Sequence, residues 1–592
     1  MLDDLDTIAW ADLHHAYGDA DDVPGLLRQA APGGGDAREA LSELYGSIFH
    51  QGTVYPATVA AVPFLVELAR TPSECQAFFV WFVGQLADPN HAYGESYEAV
   101  CAAVEDRVDE LVTLLDADDS DVRDAAAYAV AQAGGPVDVL WRRWAVEDAP
   151  STRASLALAL GLRDPDGAVA ALAGAIADGE PEVVVAAAVA LTRAGAAWPD
   201  GTVDPLVRAV EDEIELDWAW QAGREWPDEL IANVDHDTAH ALLAGLLAAP
   251  GPGTRRAALW SLTVRAQALR SAPARLVPLV GPSLRDPDDS VREAAVHALR
   301  RAGVAAGAYA DELHAVATDY PRVAGSQGFT REYYAICTLM LLDDPRWLDA
   351  AAAAVRAGHD GRNLPMRYSV VWSWPRTVAA ARDRLAGLPA DDPARSLFDI
   401  IASGVGPTEP EPVPRPMEAL TGTAAPTFPE RERQVLAARA VWAATGDPAP
   451  TLPTVRAVLA AGERPASSAA EYVADLVDRH RAAVVDFKPL LLDLLREPWG
   501  SVAAARALWR LGTPPADLVD ALLASVTRPW GARGAIPLLV EMGAAEAAPG
   551  LEQLAERDER VVIAGTDDDV VWQDELLQAR LRAAVDTLRG AG

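Results

Sequence analysis

Two histidines stand four residues apart in the string VDHDTAH, Val234 to His240. On a helix His236 and His240 share a face, and imidazoles at that spacing can ligate zinc. Zinc-protease chemistry on such a pair needs Glu directly after the first His, and Asp237 stands there, one methylene shorter. The same string reads as a helix start, with Asp235 or Asp237 capping the first turn. That reading accounts for more of the residues, so no metal and no other cofactor is expected. The chain has one lysine, Lys488 in VVDFKPLLL, against 49 arginines. P-loop NTPases, kinases and Schiff-base enzymes each need a placed lysine, and Lys488 follows no Gly-rich loop. AGSQGFTREYY, Ala324 to Tyr334, lacks the G-x-G-x-x-G spacing, and no G-x-S-x-G elbow occurs. With 87 acids, carboxylate pairs identify no general acid and base. No catalytic residue set emerges.

A different chemistry is written in EDEIELDWAWQAGREWPDEL, Glu211 to Leu230. Eight acids and one base give it a charge of −7. Trp218, Trp220 and Trp226 lie among acids that include Asp217 and Glu225. Tryptophans at i and i+2 do not share a helix face, so one of the first two is expected to point away from the core. Aromatic rings beside carboxylates suit a cationic segment of a protein partner. The competing reading is that all three rings fill space between irregular helices.

The elements that carry these residues are helices written in repeat. RDPDDSVREAAVHALRRAG (Arg285 to Gly303), DADDSDVRDAAAYAVAQAG (Asp116 to Gly134) and DGEPEVVVAAAVALTRAG (Asp178 to Gly195) share one pattern. From Val291, apolar residues recur at i+3, i+4, i+7, i+8 and i+11, one face of an α-helix. Ser290 with Glu293 reads as a capping box, Asp121 as the cap of the second copy, and Gly303 as a left-handed stop. Weaker copies begin at Thr152 and Thr254. The starts at 122, 152, 183, 254 and 291 are separated by 30, 31, 71 and 37 residues. A helical hairpin fits in about 30–40 residues, and hairpins bury their faces by stacking. The 71-residue gap holds the acidic tryptophan segment, and an insertion in an array tends to leave the stack on one face. The expected fold is an all-α solenoid.

The pattern x-L-x-x-L-L-x-D-x-D-x-x-V-R-x-A-A-x-x-A-L resembles the HEAT repeat, and the period near 30 is similar to the HEAT-like repeats of phycobilin lyases. LYGSIFHQGTVYPATVAAVPFLVELA, Leu44 to Ala69, is similar to a stretch of bacterial HEAT-type proteins. The resemblance implies a ladder in which a turn Asp pairs with the Arg after the Val. Here that is Asp116 or Asp118 with Arg123, and Asp286 or Asp288 with Arg292. Val184 replaces the arginine in the third copy and should interrupt the ladder.

Composition narrows the rest. The net charge of −37 opposes phosphate binding and anionic membranes, so neither nucleic acid nor membrane is expected as a partner. No apolar run reaches the roughly 18 residues that span a bilayer. MLDDLDTIAWADLHHA is acidic where a secretory signal would be basic and then apolar, which predicts a cytoplasmic chain. Cys75, Cys101 and Cys337 lie too far apart for a metal motif. Seven prolines in Gly404 to Glu430 predict a linker or surface loop between an N-terminal cap and array, 1–403, and a second helical block, 431–592. No strand is expected. His297 is expected on the exposed side of its helix. The function favoured for such a HEAT-like solenoid is a non-catalytic protein-binding scaffold or inhibitor that uses its concave face. The alternative is an enzyme on a helical-repeat scaffold, a tetrapyrrole-type lyase or a nucleobase glycosylase.

Overall fold

The computed structural model describes residues 2, 4–221, 223–320, 330–359, 375–403, 427–528, 531–561 and 570–590. It is an all-α helical-repeat solenoid, divided into two compact units, Met1–Val264 and Arg265–Gly592. The helices of the first unit are α1 (Val23–Ala30), α2 (Ala37–Ile48), α3 (Pro56–Ala69), α4 (Gln76–Ala87), α5 (Tyr97–Glu105) and α6 (Val108–Val112). There follow α7 (Ser120–Gln132), α8 (Val137–Trp144), α9 (Pro150–Arg163), α10 (Pro165–Asp178), α11 (Pro181–Arg193), α12 (Val203–Glu211), α13 (Trp226–Asn233) and α14 (His236–Ala248). A further helix, α15 (Pro252–Ala268), runs across the boundary. Among the described residues, four two-residue strands correct the expectation of none. They form two antiparallel hairpins, β1 (His14–His15) with β2 (Gly18–Asp19) and β3 (Phe49–His50) with β4 (Thr53–Val54). Such short ladders leave no period-2 pattern to read.

The repeat string folds as a turn, a capped helix and a glycine stop, with two corrections. The caps are Asp119 and Asp288, not Asp121 and Ser290. Asp119 accepts from the Asp121 N–H at 3.0 Å, and Asp288 accepts from the Ser290 N–H at 2.9 Å. Each helix therefore starts two residues earlier than its first apolar position requires. The second correction concerns the ladder. Arg123 donates to the carbonyls of Ala117 (3.0 Å) and Asp118 (2.9 Å), and Arg292 to those of Asp286 (2.6 Å) and Pro287 (3.0 Å). Arg255 does the same with Ala249 and Pro250. The arginines thus satisfy orphan carbonyls of their own turn, not the side chains of Asp116 or Asp286. Asp116 lies 3.5 Å from Arg143 instead, and Asp286 accepts from the Asp288 N–H. Links to neighbouring units are made separately, by Arg123 with Glu147 (2.9 and 3.0 Å) and by Arg331 with Asp289 (2.8 Å). In the third copy Val184 is buried and the arginine contact is absent. The stop glycines Gly134, Gly195 and Gly303 have φ of +74°, +67° and +65°.

Small residues set the spacing. Helices α4, α7, α9 and α11 pack in succession. A Cβ on Gly84 of α4 would sit 2.7 Å from Ala129 Cα, and one on Gly161 of α9 would sit 2.6 Å from Ala190 Cβ. The run Val183–Leu191 of α11 is buried throughout, and each interior is closed by such Ala–Val–Leu faces.

The second unit continues with α16 (Ala272–Val280), α17 (Asp289–Arg300), α18 (Ala310–Ala317), α19 (Arg331–Leu341), α20 (Trp347–Arg356), α21 (Pro375–Gly387) and α22 (Arg395–Ser403). Then come α23 (Phe428–Thr445), α24 (Leu452–Ala460), α25 (Pro465–Val484), α26 (Lys488–Leu494), α27 (Ser501–Arg510), α28 (Val519–Val526), α29 (Gly531–Glu541), α30 (Ala548–Glu556) and α31 (Val570–Gly590). Most of the proline-rich stretch, and 324–329 of the Gly-containing loop, lie outside the described residues. The helix after the prolines starts at Phe428 on a Thr427–Glu430 capping box. Helix α31 returns to the start of the unit. Asp574, fully buried, pairs with Arg270 at 2.8 Å and Arg560 at 2.9 Å. Trp572 Nε1 donates to the Arg300 carbonyl, and Glu575 accepts from the Val304 N–H. His297 is buried, not exposed, because its ring packs edge-on against Tyr334 at 4.7 Å.

Candidate functional site

The insertion folds over the α4–α7–α9 face of the first unit. Its tip is a 3-10 turn, Trp218–Trp220, capped by Asp217, whose side chain accepts from the Ala219 N–H at 2.8 Å. Arg193 of α11 holds the turn from one side, donating to the Trp220 carbonyl at 2.6 Å while it grips Glu229 through two bonds. His91 Nε2 lies 3.0 Å from the Ala219 carbonyl.

The turn sends its two tryptophans opposite ways. Trp220 is 5% exposed and packs edge-on against Tyr128 at 5.0 Å. Trp218 is 51% exposed; its ring centroid lies 4.7 Å from that of Trp81, tilted by 57°, and 5.2 Å from that of His91 in a T-shaped pair. Trp226 is 3% exposed and donates Nε1 to the Ile214 carbonyl, so its ring belongs to the core. Among the three rings, only Trp218 presents a large free surface.

Two open cavities flank the turn, and Asp124, Asp217, Trp218 and Trp220 border both. The larger, about 770 Å³, has an aromatic wall of Tyr45, Phe78, Trp81 and Trp218. Its charged lining is Glu74, Asp121, Asp124 and Asp217 against one base, Arg38, which pairs with Glu74 at the exposed rim. The smaller, about 540 Å³, is lined by Glu182, Glu215 and Glu225 besides the shared acids, and by no base.

Asp124 links the cavities to the repeat. Trp220 Nε1 donates to Ser155 Oγ at 2.9 Å, and Ser155 Oγ donates in turn to Asp124 Oδ1. Burial pushes the Asp124 carboxyl up to about 7; the Ser155 bond pulls it down, and Asp217, Asp121 and Glu182 add to the rise. Below it, Tyr128 Oη donates to the buried Asp88 at 2.8 Å, and burial foremost pushes its hydroxyl up.

The sequence pointed to Asp217, Trp218, Trp220 and Glu225, and the structure brings them to one cleft. It did not point to Asp124, Ser155, Tyr45, Phe78 or Trp81. One signal was present: Ser155 occupies the register held by Ala125, Ala186, Ala257 and Ala294 in the other copies. His236 and His240 stand apart from this cleft, on the first two turns of α14, where the Asp235 side chain accepts from the N–H groups of Asp237 and Thr238. Among the described residues no group of three metal-ligating side chains forms, and no helix is long and apolar enough to cross a membrane.

Residues 252–302 match the family model of the HEAT-like repeat. Among curated proteins none matches the sequence. Similar solved structures include an engineered protein, at 19% identity over 89% of this chain and 98% of the other, TM-score 0.21. Kap121p bound to RanGTP aligns at 14% identity over 96% of this chain and 64% of that one, TM-score 0.35. Kap121p bound to Pho4p aligns at 13% identity over 95% and 64%, TM-score 0.35. The chain spans less than two thirds of the Kap121p chain.

Proposed function

We propose, from the premise that this chain is a solenoid of HEAT-like repeats, that it is a non-catalytic protein-binding scaffold whose cleft beneath Trp218 receives a cationic segment of the partner. The observation that carries this reading is the half-exposed Trp218 ring set among carboxylates. A cation over an aromatic face gains about 0.5–2 kcal/mol, and nearby carboxylates add Coulomb attraction in a partly desolvated site. Exposed tryptophans at the centre of a patch are the residues on which binding energy concentrates. The remaining acids of the insertion steer a basic partner and speed its approach. The same reading puts the protein in the cytoplasm, where Cys75, Cys101 and Cys337, none of them in a disulfide, stay reduced.

The enzyme alternative has one observation in its favour, a carboxyl that titrates near neutrality inside a cavity. Against it stands the lining. Nucleic acid phosphates or tetrapyrrole propionates would face four acids and one rim arginine. Titration with hexa-arginine and hexa-glutamate, followed by tryptophan fluorescence, tests the proposal. Hexa-arginine should bind, weaken with salt, and lose affinity in Trp218→Ala at unchanged melting temperature. Equal binding of hexa-glutamate, or full affinity in Trp218→Ala, overturns it.

A further inference from the structure

We infer that Asp124 is the anchor for one arginine side chain of the partner, and that it gives up a proton to solvent as the guanidinium arrives. This rests on the cationic-partner reading above and adds the identity of the group and the linkage.

The hydrogen-bond chain fixes which oxygen of Asp124 is engaged and which is open. Ser155 Oγ receives the indole N–H of Trp220, so its own hydrogen is directed at Asp124 Oδ1. That contact has the serine donating when the carboxyl is ionised; Ser155 Oγ keeps a second lone pair, so a neutral carboxyl can turn its own proton toward Ser155 instead. Oδ2 makes no hydrogen bond to the described chain and belongs to a residue that borders both cavities. A guanidinium has donors only. It gains a charge-assisted pair on Asp124 only once the carboxyl is ionised. The proton leaves to water, the guanidinium keeps its charge, and no other group changes state.

The surroundings favour a neutral Asp124 until a cation comes. Its own helix presents Asp121 and Tyr128. The insertion presents Asp217, Glu215 and Glu225, and α11 presents Glu182. Helix α2 presents Arg38 and Tyr45, and the turn before α4 presents Glu74 and Cys75. Arg38 is 75% exposed and already paired with Glu74, so no cation of the cleft answers Asp124. The free carboxyl titrates at about 7. Arginine fits better than lysine, because a planar guanidinium can lie against the aromatic wall and bridge Asp124 and Asp217 as a fork, whereas an ammonium is a point charge.

Three peptides and one variant test this. The ionised fraction of the empty cleft falls from about nine tenths at pH 8 to about one tenth at pH 6. Hexa-arginine, which does not titrate in that range, should bind about ten-fold more weakly at pH 6 than at pH 8. Calorimetry at pH 7 in phosphate and in Tris should show roughly half a proton released per site. Asp124→Asn, checked by its melting curve, should bind about ten-fold or more weakly at pH 8, with no proton release. Hexa-lysine should bind more weakly than hexa-arginine, and hexa-citrulline should release no proton. Wild-type affinity and proton release in Asp124→Asn would overturn the inference while a Trp218→Ala loss left the broader reading standing. Hexa-lysine binding as tightly as hexa-arginine overturns the guanidinium assignment. A wild-type protein that binds no cationic peptide at any pH overturns both.

Discussion

Replacing Asp574 by alanine should be among the most damaging single changes in the second unit. Its carboxylate accepts from Arg270 Nε and Nη2 at 2.8 Å each, from Arg560 Nη1 at 2.9 Å and from the Val561 N–H at 3.1 Å. Neither guanidinium can swing to water when that carboxylate is lost. Arg270 is also pinned to the carbonyls of Leu554 and Arg557, and Arg560 to that of Ala266. Two buried cations would remain, and Glu575 lies 3.9 Å from Arg560, too far for a direct hydrogen bond. Removing one partner of a buried ion pair costs about 3–5 kcal/mol, and the pinning places this case at the upper end. At a slope of about 2–3 kcal/mol per molar, the urea midpoint of the second unit should fall by roughly 1.3–2.5 M. Circular dichroism at 222 nm reads it. Arg589→Ala, also on α31, breaks an exposed pair with Glu552 of α30; it is the control and should leave the midpoint unmoved. A loss of less than about 1 kcal/mol for Asp574→Ala would refute the reasoning that this carboxylate locks α31 in place.

Four further outcomes are expected. Cleavage within 404–426 should yield fragments that co-elute on gel filtration, because α31 and the Arg270–Val304 region hold one another without the peptide link; separate elution counts against it. Gly84→Ala should cost about 1–3 kcal/mol by overpacking against Ala129, read from a thermal melt. Arg292→Ala should cost about 1–3 kcal/mol by stranding the carbonyls of Asp286 and Pro287, with hexa-arginine affinity unchanged. Glu147 is held at about 2, because bonds from Arg123, Ala149 N–H and Arg143 outweigh the upward push of burial. Its contribution is full above its ordinary 4.5 and lost as pH falls through about 2, so unfolding curves of Glu147→Gln and wild type should differ at pH 6 and converge near pH 2.

The fold was legible because alanine, valine and leucine at helical spacing leave one solution, a stacked hairpin. The caps were misread by two residues because each turn offers several acids, any of which can cap, and apolar spacing marks the buried face and not the first turn. The arginine partners were misread for a related reason. A turn exposes carbonyls that carry no letter in the sequence, whereas Asp does. Asp217 and Trp218 could be found because their insertion breaks the period. Asp124 could not, since its environment is assembled from α2, α4, α7, α9 and the insertion, and only Ser155 in an alanine register marked the place. His297 looked exposed from its own helix, and the ring that covers it, Tyr334, comes from another.

The return of α31 to the start of its unit bears on how such a protein can change over time. Open arrays gain and lose whole hairpins readily, since each touches only its neighbours. In the second unit an added hairpin between 310 and 556 would carry α31 a helix layer away from Arg270 and Arg300, about 8–10 Å. The ion cluster and the Trp572 bond tolerate no such offset. Addition of a repeat is therefore closed to this segment, and its copy number is fixed by its own seam.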